Sequence, residues 1–471
     1  SNHNDNHPPY RNSPLHPPHH SNSPSQLSKW ISLWAAKRRR VCSLSIVDSN
    51  GNPSSSPAQA AQNLLSHWQP VFQAKPTNLA LAQASLSPFI QPCPDNIQWD
   101  LPFDEFCNIA RSKKDTGCGP DGITYSFWSK APTSFLQLLY DLLEHIKLNN
   151  PTNDDFNDAN ITFPPKSKEP NDHTDTFTRH PKKTRPISLS NTDNKLIATS
   201  VAIPLHQLGE STVAHFQAGG LHGRKISDNI LNLEAKAIMF LLTNAVLSGI
   251  ISLDQAAAFP SISRRYIFWV LNQMKVPLRI RRVIHALYTG GRNGISIAGR
   301  IYAYFASSSG VKQGCPCSMI LFTLAFDPIL RWISNSLGIN DYPFAFCDDL
   351  AIACKDIQRS WHLLVRIFAV VTKFSSLQLN VDKTQVWVIC RSHRPQLQQA
   401  LQAISTDLAD DAFNDTIKYL GIYIGPGATR VQWDLASSGY LEAVNFLRSL
   451  DAGFTPTVSL YNILANSKLS T

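Results

Sequence analysis

Apolar positions along this chain recur in two rhythms, one helical and one strand-like, separated by polar punctuation. Residues 58–72 and 135–146 repeat apolar side chains at helical spacing. The second stretch is opened by Pro132 and Thr133 and closed by Asn149-Asn150-Pro151. After Ser227 and Asp228, residues 230–247 are apolar nearly all round, which predicts a long buried helix. Ser318 stands where the cap of a helix running to Ser336 belongs, with Gly338 closing it. Short apolar runs read as strands. One, 250–253, ends at Asp254; two more, within 342–354, flank Asp348-Asp349 at the place of a hairpin turn. Residues 161–166 and 184–189 predict a second hairpin, with Lys166, Lys168, Lys182, Lys183 and Arg185 towards its tip. Residues 150–180, rich in Asn, Asp, Pro and Thr, read as a long functional or mobile loop.

The amino end has no such rhythm. Residues 1–28 are mostly Ser, Asn, His and Pro, too poor in apolar groups to offset the entropy of ordering. Its histidines (His3, His7, His16, His19, His20) read as low-complexity tail rather than metal ligands. Residues 29–95 read as a linker, turn-rich at 49–57, and globular composition begins near Trp99.

Hydrophobic residues make up 43% of the 471, enough to bury a large core and to exclude wholesale disorder. Lys and Arg exceed Asp and Glu by 43 to 34, so the net charge of +9 suggests a polyanionic partner. Part of that excess is concentrated. Between Asp254 and Asp327 there is no acidic residue, but there are Arg264, Arg265, Lys275, Arg279, Arg281, Arg282, Arg292, Arg300 and Lys312. Such a stretch reads as a track for a phosphate backbone. The run Lys37–Arg40 reads as a nuclear-import signal or a solvated face. Nine cysteines without a CxxC pair argue against a zinc module or a disulfide scaffold. No apolar run reaches the roughly 18–20 residues of a membrane span.

Asp348-Asp349 carries the chemistry. Asp is common in turns, and a solvated tip is the bland alternative. Yet both flanking strands read as buried, and adjacent carboxylates near a core are costly unless a cation neutralises them. Hard oxygen ligands suit Mg²⁺, which keeps waters and substrate phosphates in its shell. Asp254, at the end of another apolar strand, is the candidate partner in the same sheet. A metal pair on such carboxylates can activate a 3′-hydroxyl and stabilise leaving pyrophosphate.

Motif order sharpens this. Gly119-Pro120-Asp121-Gly122, Arg185-Pro186-Ile187-Ser188-Leu189, and Gln217-Ala218-Gly219 with Gly223-Arg224 and Asp228-Asn229-Ile230 come first. Asp254 with Ala258-Phe259, Gly310–Ser318 around Gln313-Gly314, Phe346-Cys347-Asp348-Asp349, Asn380 with Lys383-Thr384, and Tyr419-Leu420-Gly421 follow. In this order, from about residue 96 to 425, the chain resembles the reverse transcriptase domain of non-LTR (LINE-type) retrotransposons. Pro260 departs from the family, which usually has Asp there, and Gln255 and Ala256 replace the usual neighbours of Asp254.

The resemblance implies an α+β right-hand polymerase with fingers, an antiparallel-sheet palm and a partial helical thumb. Fingers would span 96–249, with the tip hairpin at about 161–189. The palm would span 250–425, with a fingers insertion at about 264–305, and a cut-off thumb would start at 426. It also implies an RNA-directed DNA polymerase that adds dNTPs to a primer. Asp254, Asp348 and Asp349 would hold two Mg²⁺ ions, for which Mn²⁺ substitutes. Phe259 would exclude a ribose 2′-hydroxyl, which argues against an RNA-templated RNA polymerase. Gln313 and Gly314 would touch nucleotide and template, Lys166 and Arg185 the triphosphate. Lys383 would protonate pyrophosphate, and Tyr419, Leu420 and Gly421 would grip the primer. Arg264, Arg265, Arg279, Arg281 and Arg282 would line the nucleic-acid track. Implied partners are an RNA template, a DNA primer or target, and an endonuclease elsewhere in a longer polyprotein. Nuclear action with a cytoplasmic ribonucleoprotein stage is implied too. The alternative is an inactive or maturase-like RNA-binding protein of the same ancestry.

Overall fold

The computed structural model describes residues 43–167, 169, 176–449, 457–458 and 460–465. The histidine-bearing tail, Lys37–Arg40 and Lys168 lie outside them. Two compact units divide the chain, with residues 41–428 in the larger. In the smaller, the helix Ala428–Ser449 contributes Leu447 to an apolar cluster with Leu460.

In chain order the strands are β1 (Ser43–Ile46), β2 (Ala159–Thr162), β3 (Thr176–Arg179), β4 (Ile187–Ser190), β5 (Gly249–Gln255) and β6 (Arg292–Ile297). They continue with β7 (Arg300–Ala306), β8 (Tyr342–Phe346), β9 (Asp349–Cys354), β10 (Leu379–Val388), β11 (Ile417–Tyr419) and β12 (Ile422–Ile424). The architecture is α+β. One sheet, ordered β10-β5-β9-β8, is antiparallel throughout. A second, β4-β2-β6-β7, has one parallel pair, and β1-β3 and β11-β12 form two-stranded ladders.

The first sheet is covered on both faces, which is why its strands read as continuous apolar runs rather than alternating ones. Ile251, Leu253, Leu350 and Ile352 face the helices Ser318–Ser336 and Ile357–Ser375 in the main core. Ile250, Ala351, Ala353 and Trp387 face Leu233, Ala237 and Phe240 of the helix Ile226–Leu242, with Tyr419 and Ile424 alongside.

Four expectations need correction. The region 29–95 is not a linker where it is described. The helix Pro57–Val71 buries Leu64 and Trp68, with Phe72, against Ile161, Phe163, Ile295, Ile297 and Phe305 of the second sheet. The apolar spacing at 58–72 was the mark of that face. The helix expected at 230–247 is Ile226–Leu242, and it is buried along one stripe only. Leu231, Ile238, Leu241 and Leu242 are exposed, and Asn244 at φ 49° turns the chain out of the helix. Ser318 is the first helical residue rather than the cap, and its hydroxyl donates to the Lys312 carbonyl.

The single-sign stretch, finally, is not one continuous track. Arg264 turns inward and donates to the carbonyls of Gly310, Tyr288 and Ser307; burial pushes its pKa down to about 10. Lys312 is buried against Asn157. Arg281 donates to Val276 and Arg282 to Lys147, both backbone carbonyls. Asp100 pairs with Arg279, and Asp158 with Arg292. The acids missing from the local sequence arrive from elsewhere in the fold. Among the described residues, Arg265 alone of the five expected track residues is exposed and makes none of these bonds.

Candidate active site

β5 places Asp254 near its end, and Leu253 pairs with Leu350 of β9. One step further along both strands brings Asp254 abreast of Asp349, at the start of β9. Phe346 pairs with Asp349, so Cys347 and Asp348 form the two-residue turn joining β8 to β9. Asp254, Asp348 and Asp349 therefore gather at one end of one sheet.

The turn is strained and held. Cys347 has φ 54°, a region that side chains other than glycine seldom adopt. Gln217, fully buried, clamps it: the Gln217 amide oxygen accepts from the Cys347 N–H at 2.8 Å, and its amide nitrogen donates to the Cys347 carbonyl at 3.1 Å. The same oxygen accepts from the Gly219 N–H at 2.8 Å. A Cβ on Gly219 would lie 2.1 Å from the Cys347 nitrogen, so only glycine allows the approach. Gln255, one of the departures from the family pattern, donates to the Asp348 carbonyl at 3.0 Å. Asn229 donates to the Ala345 carbonyl.

Electrostatics follow from this crowding. Burial, then the neighbouring Asp349 and Asp254, push the Asp348 carboxyl up to about 7 against the pull of Lys166. Burial and Asp254 also raise Asp349. Asp254 is partly matched. Asn380 donates to its Oδ2 at 2.8 Å, and the Lys383 ammonium lies 3.4 Å from the same oxygen. Lys383 gets there because the β10–β5 register breaks between Asn380 and Gln385. Among the described residues no group of three or more His, Cys, Asp or Glu is drawn together closely enough to hold a metal on its own. Donors that are all carboxylate oxygens, gathered at one sheet end, nonetheless fit a hard cation that completes its shell with water and phosphate.

The remaining expected residues fall around this centre. Partial burial, then Lys383 and Arg185, push the Lys166 ammonium down, while Asp254 and Asp348 pull the other way; Lys166 thus senses the carboxylates from the second hairpin. That hairpin is real, with Ile161 opposite Ser188 and the Lys166 N–H donating to the Lys183 carbonyl. The Gln313 carbonyl accepts from the Ser188 N–H at 2.7 Å, and a Cβ on Gly314 would sit 2.5 Å from the Ser188 oxygen. Phe259 is half-buried, its ring stacked on Phe322 at 4.7 Å and 11°. Pro260 is buried where the backbone of Gly310 abuts it.

Tyr419 is 2% exposed and its hydroxyl donates to the Phe344 carbonyl, so its side chain is core, while its neighbours Leu420 and Gly421 line the cleft. That cleft, of about 660 Å³, also takes in Asp254, Phe346, Asp349, Lys383 and Gln385. Gln217 and Asn380 stand within the motifs, where local sequence assigns them no role. The available signal was a polar residue followed by two small ones, Ala218 and Gly219, where the backbone closes on another strand.

Comparisons with known proteins agree with this geometry. The profile of the reverse transcriptase (RNA-dependent DNA polymerase) family matches residues 165–424. The chain is 25% identical over 251 residues to the Transposon TX1 uncharacterized 149 kDa protein of Xenopus laevis, covering 52% of this chain and 19% of that protein. It is 28% identical over 184 residues to the retrovirus-related Pol polyprotein from the type-2 retrotransposable element R2DM of Drosophila melanogaster, covering 37% and 17%. It is 22% identical over 393 residues to the Pol polyprotein from the type-1 retrotransposable element R2 of Bradysia coprophila, covering 79% and 42%. The chain thus spans less than half the length of each of these relatives. With the match extending over more than half of its residues, the chain belongs to the reverse transcriptase (RNA-dependent DNA polymerase) family.

Proposed function

We infer that this chain is the RNA-directed DNA polymerase part of a non-LTR retrotransposon polyprotein, adding deoxynucleotides to a primer 3′-hydroxyl opposite an RNA template. The observation that carries the reading is the convergence of Asp254, Asp348 and Asp349 at one sheet end, on a turn clamped by Gln217. In this reading the sheet β10-β5-β9-β8 is the palm. The sheet β4-β2-β6-β7 with its helices is the fingers, completed by the insertion after Arg264, and the helix Ala428–Ser449 begins the thumb.

Asp254, Asp348 and Asp349 would hold two Mg²⁺ ions, or Mn²⁺ in their place, and the metal would supply charge that favours an ionised attacking hydroxyl and offsets a leaving pyrophosphate. The chain's own groups do the rest. Lys166 and Arg185 meet the triphosphate, Lys383 donates a proton to departing pyrophosphate, and Gln313-Gly314 supports the nascent pair. Phe259, pinned on Phe322, has the rigidity a sugar gate needs, and Leu420-Gly421 faces the primer end. An endonuclease elsewhere in the polyprotein supplies the nicked target, and the reaction belongs to the nucleus after a cytoplasmic ribonucleoprotein stage.

Primer extension on an RNA template with Mg²⁺, comparing wild type with Asp348→Asn, tests this. Extension with dNTPs is expected from the wild type, with a loss of at least about 10³-fold in the variant. A folded wild type that binds template without extending it would instead support the maturase-like alternative. Equal incorporation of ribonucleotides would overturn the role of Phe259.

A further inference from the structure

Between the helices Thr192–Thr212 and Ile226–Leu242 the chain doubles back on itself. Gly220 and Gly223, both at positive φ, make the reversal. Its first limb, residues 213–219, runs along the edge of the sheet β10-β5-β9-β8, where β8 is the last strand. Gln217 bridges to Ala345 of β8 in parallel. The Ala345 N–H donates to the Phe216 carbonyl and the Ala218 N–H to the Ala345 carbonyl, each at 2.8 Å. One rung of this kind does not offset the entropy of ordering seven residues. Yet this limb is the strap that carries Gln217 to the Cys347 turn, so its position has to be fixed by other bonds.

Arg224, on the returning limb, supplies them. Its guanidinium donates to the carbonyls of Val213, Ala214 and Gln217 at 2.9, 2.5 and 2.6 Å. Three acceptors gathered in this way match the planar fork of a guanidinium, and a lysine ammonium has no such spread of donors. Val213 caps the helix Thr192–Thr212, so the arginine also meets carbonyls where a helix end concentrates negative charge. The two ends of the strap are anchored separately, by the helix Ser318–Ser336. Its Asp327 accepts from the Ala214 N–H at 2.8 Å, and its Thr323 donates to the Gly219 carbonyl at 3.2 Å. Of these three side chains, Arg224 alone bonds the backbone of Gln217.

We propose that Arg224 is a positioning residue for catalysis, holding Gln217 in place so that Asp348 and Asp349 keep their positions at the sheet end. The inference rests on the polymerase reading above and deepens it. The line of contacts is short. Arg224 bonds the Gln217 carbonyl, the Gln217 amide bonds both the N–H and the carbonyl of Cys347, and Asp348 follows in the chain. Without the guanidinium the strap keeps its ends but its middle is free to shift, and Cys347, at φ 54°, relaxes towards an ordinary turn. Gln255 of β5 still holds the Asp348 carbonyl, so the loss is partial. Lys166 and Arg185, assigned to the triphosphate, belong to the other hairpin, whose bonds the strap does not enter. The signature is therefore a lower kcat at an unchanged KM for dNTP.

Hydrogen exchange read by mass spectrometry, on the full chain without substrate, is the first test. Arg224→Ala should speed exchange at the Cys347 amide by about tenfold or more and leave Ala351–Ala353, in the middle of β9, unchanged. Steady-state primer extension is the second. The same variant should lose about tenfold in kcat, while KM for dNTP and template affinity by anisotropy stay within about twofold. Arg224→Lys keeps the charge but not the fork, and should fall between in both measurements. It also takes the place of Arg224→Ala where that variant does not fold. Unchanged exchange at Cys347 overturns the assignment. So does an equal speed-up along all of β9, which would make Arg224 a residue of general stability. A kcat within about twofold of the wild type overturns it as well. A wild type that extends no primer overturns the polymerase reading, and the exchange result still decides the strap.

Discussion

Replacing Gln217 with Ala removes in one step the acceptor of two buried backbone N–H groups and the donor to the Cys347 carbonyl. Unsatisfied buried groups cost about 1–3 kcal/mol each, and Gln255, through the Asp348 carbonyl, would be left to hold the turn in which Cys347 has φ 54°. The expected result is a drop in kcat of about 10²-fold, with little change in KM for dNTP, measured by steady-state primer extension. Gln217→Glu keeps the acceptor but loses the donor, and should fall between. Asp348 titrates at the same turn. Its folded pKa, about 7, lies above the ordinary aspartate value of 3.8. A raised carboxylate favours the protonated fold, so stability of the metal-free protein falls as pH rises from about 4 to 7. Asp348→Asn should therefore stabilise the metal-free protein at pH 8, by about 1–2 kcal/mol, and do little at pH 4. Mg²⁺ should raise the Tm of the wild type more at pH 8 than at pH 5. Calorimetry at the two pH values checks both signs, and a larger Mg²⁺ shift at pH 5 would contradict the assignment.

Among the elements, β10 shows how a sequence can place a residue correctly and still conceal its means. Lys383 reads as a lone cation after a strand, yet it lies inside Leu379–Val388, where the broken register swings it onto Asp254. Local pattern carries no trace of a bulge, because a bulge is defined by the partner strand. The carboxylate hairpin was legible for the opposite reason. Two apolar runs around a polar pair fix register and turn locally, and β8 and β9 follow at Tyr342–Phe346 and Asp349–Cys354. The basic stretch misled because charge pattern along a chain does not report its partners across the fold. Asp100 and Asp158 lie more than a hundred residues from the arginines they meet. Arg264→Ala should consequently act on folding. Leaving the Gly310, Tyr288 and Ser307 carbonyls without their donor should lower stability by about 2–4 kcal/mol, read by denaturant unfolding. The salt dependence of template binding should not change.

For the larger unit as a whole, the decisive region is the one composition marks as dispensable. Residues 29–95 read as a linker because 49–57 is turn-rich, and a short helix beyond it has no visible partner in sequence. Its partner is the second sheet, whose four strands all lie between residues 159 and 306. Leu64, Trp68 and Phe72 are 0%, 2% and 6% exposed, packed on Phe163, Ile295 and Phe305. Burial of a large apolar side chain contributes about 1.5–3 kcal/mol. Losing these three alone would remove about 5–9 kcal/mol, comparable to the whole stability of an ordinary domain. Removal would also lay open the inner face of the sheet that carries Lys166 and abuts Gln313. A chain beginning at residue 96 should therefore be insoluble or lose its cooperative melting transition. One beginning at residue 41 keeps the helix Pro57–Val71 on the second sheet and should melt cooperatively. Equal Tm values for the 96-start and 41-start proteins by scanning calorimetry would mean that the helix Pro57–Val71 is an appendage. A large loss would make it part of the polymerase fold, with the Lys166 hairpin resting on it.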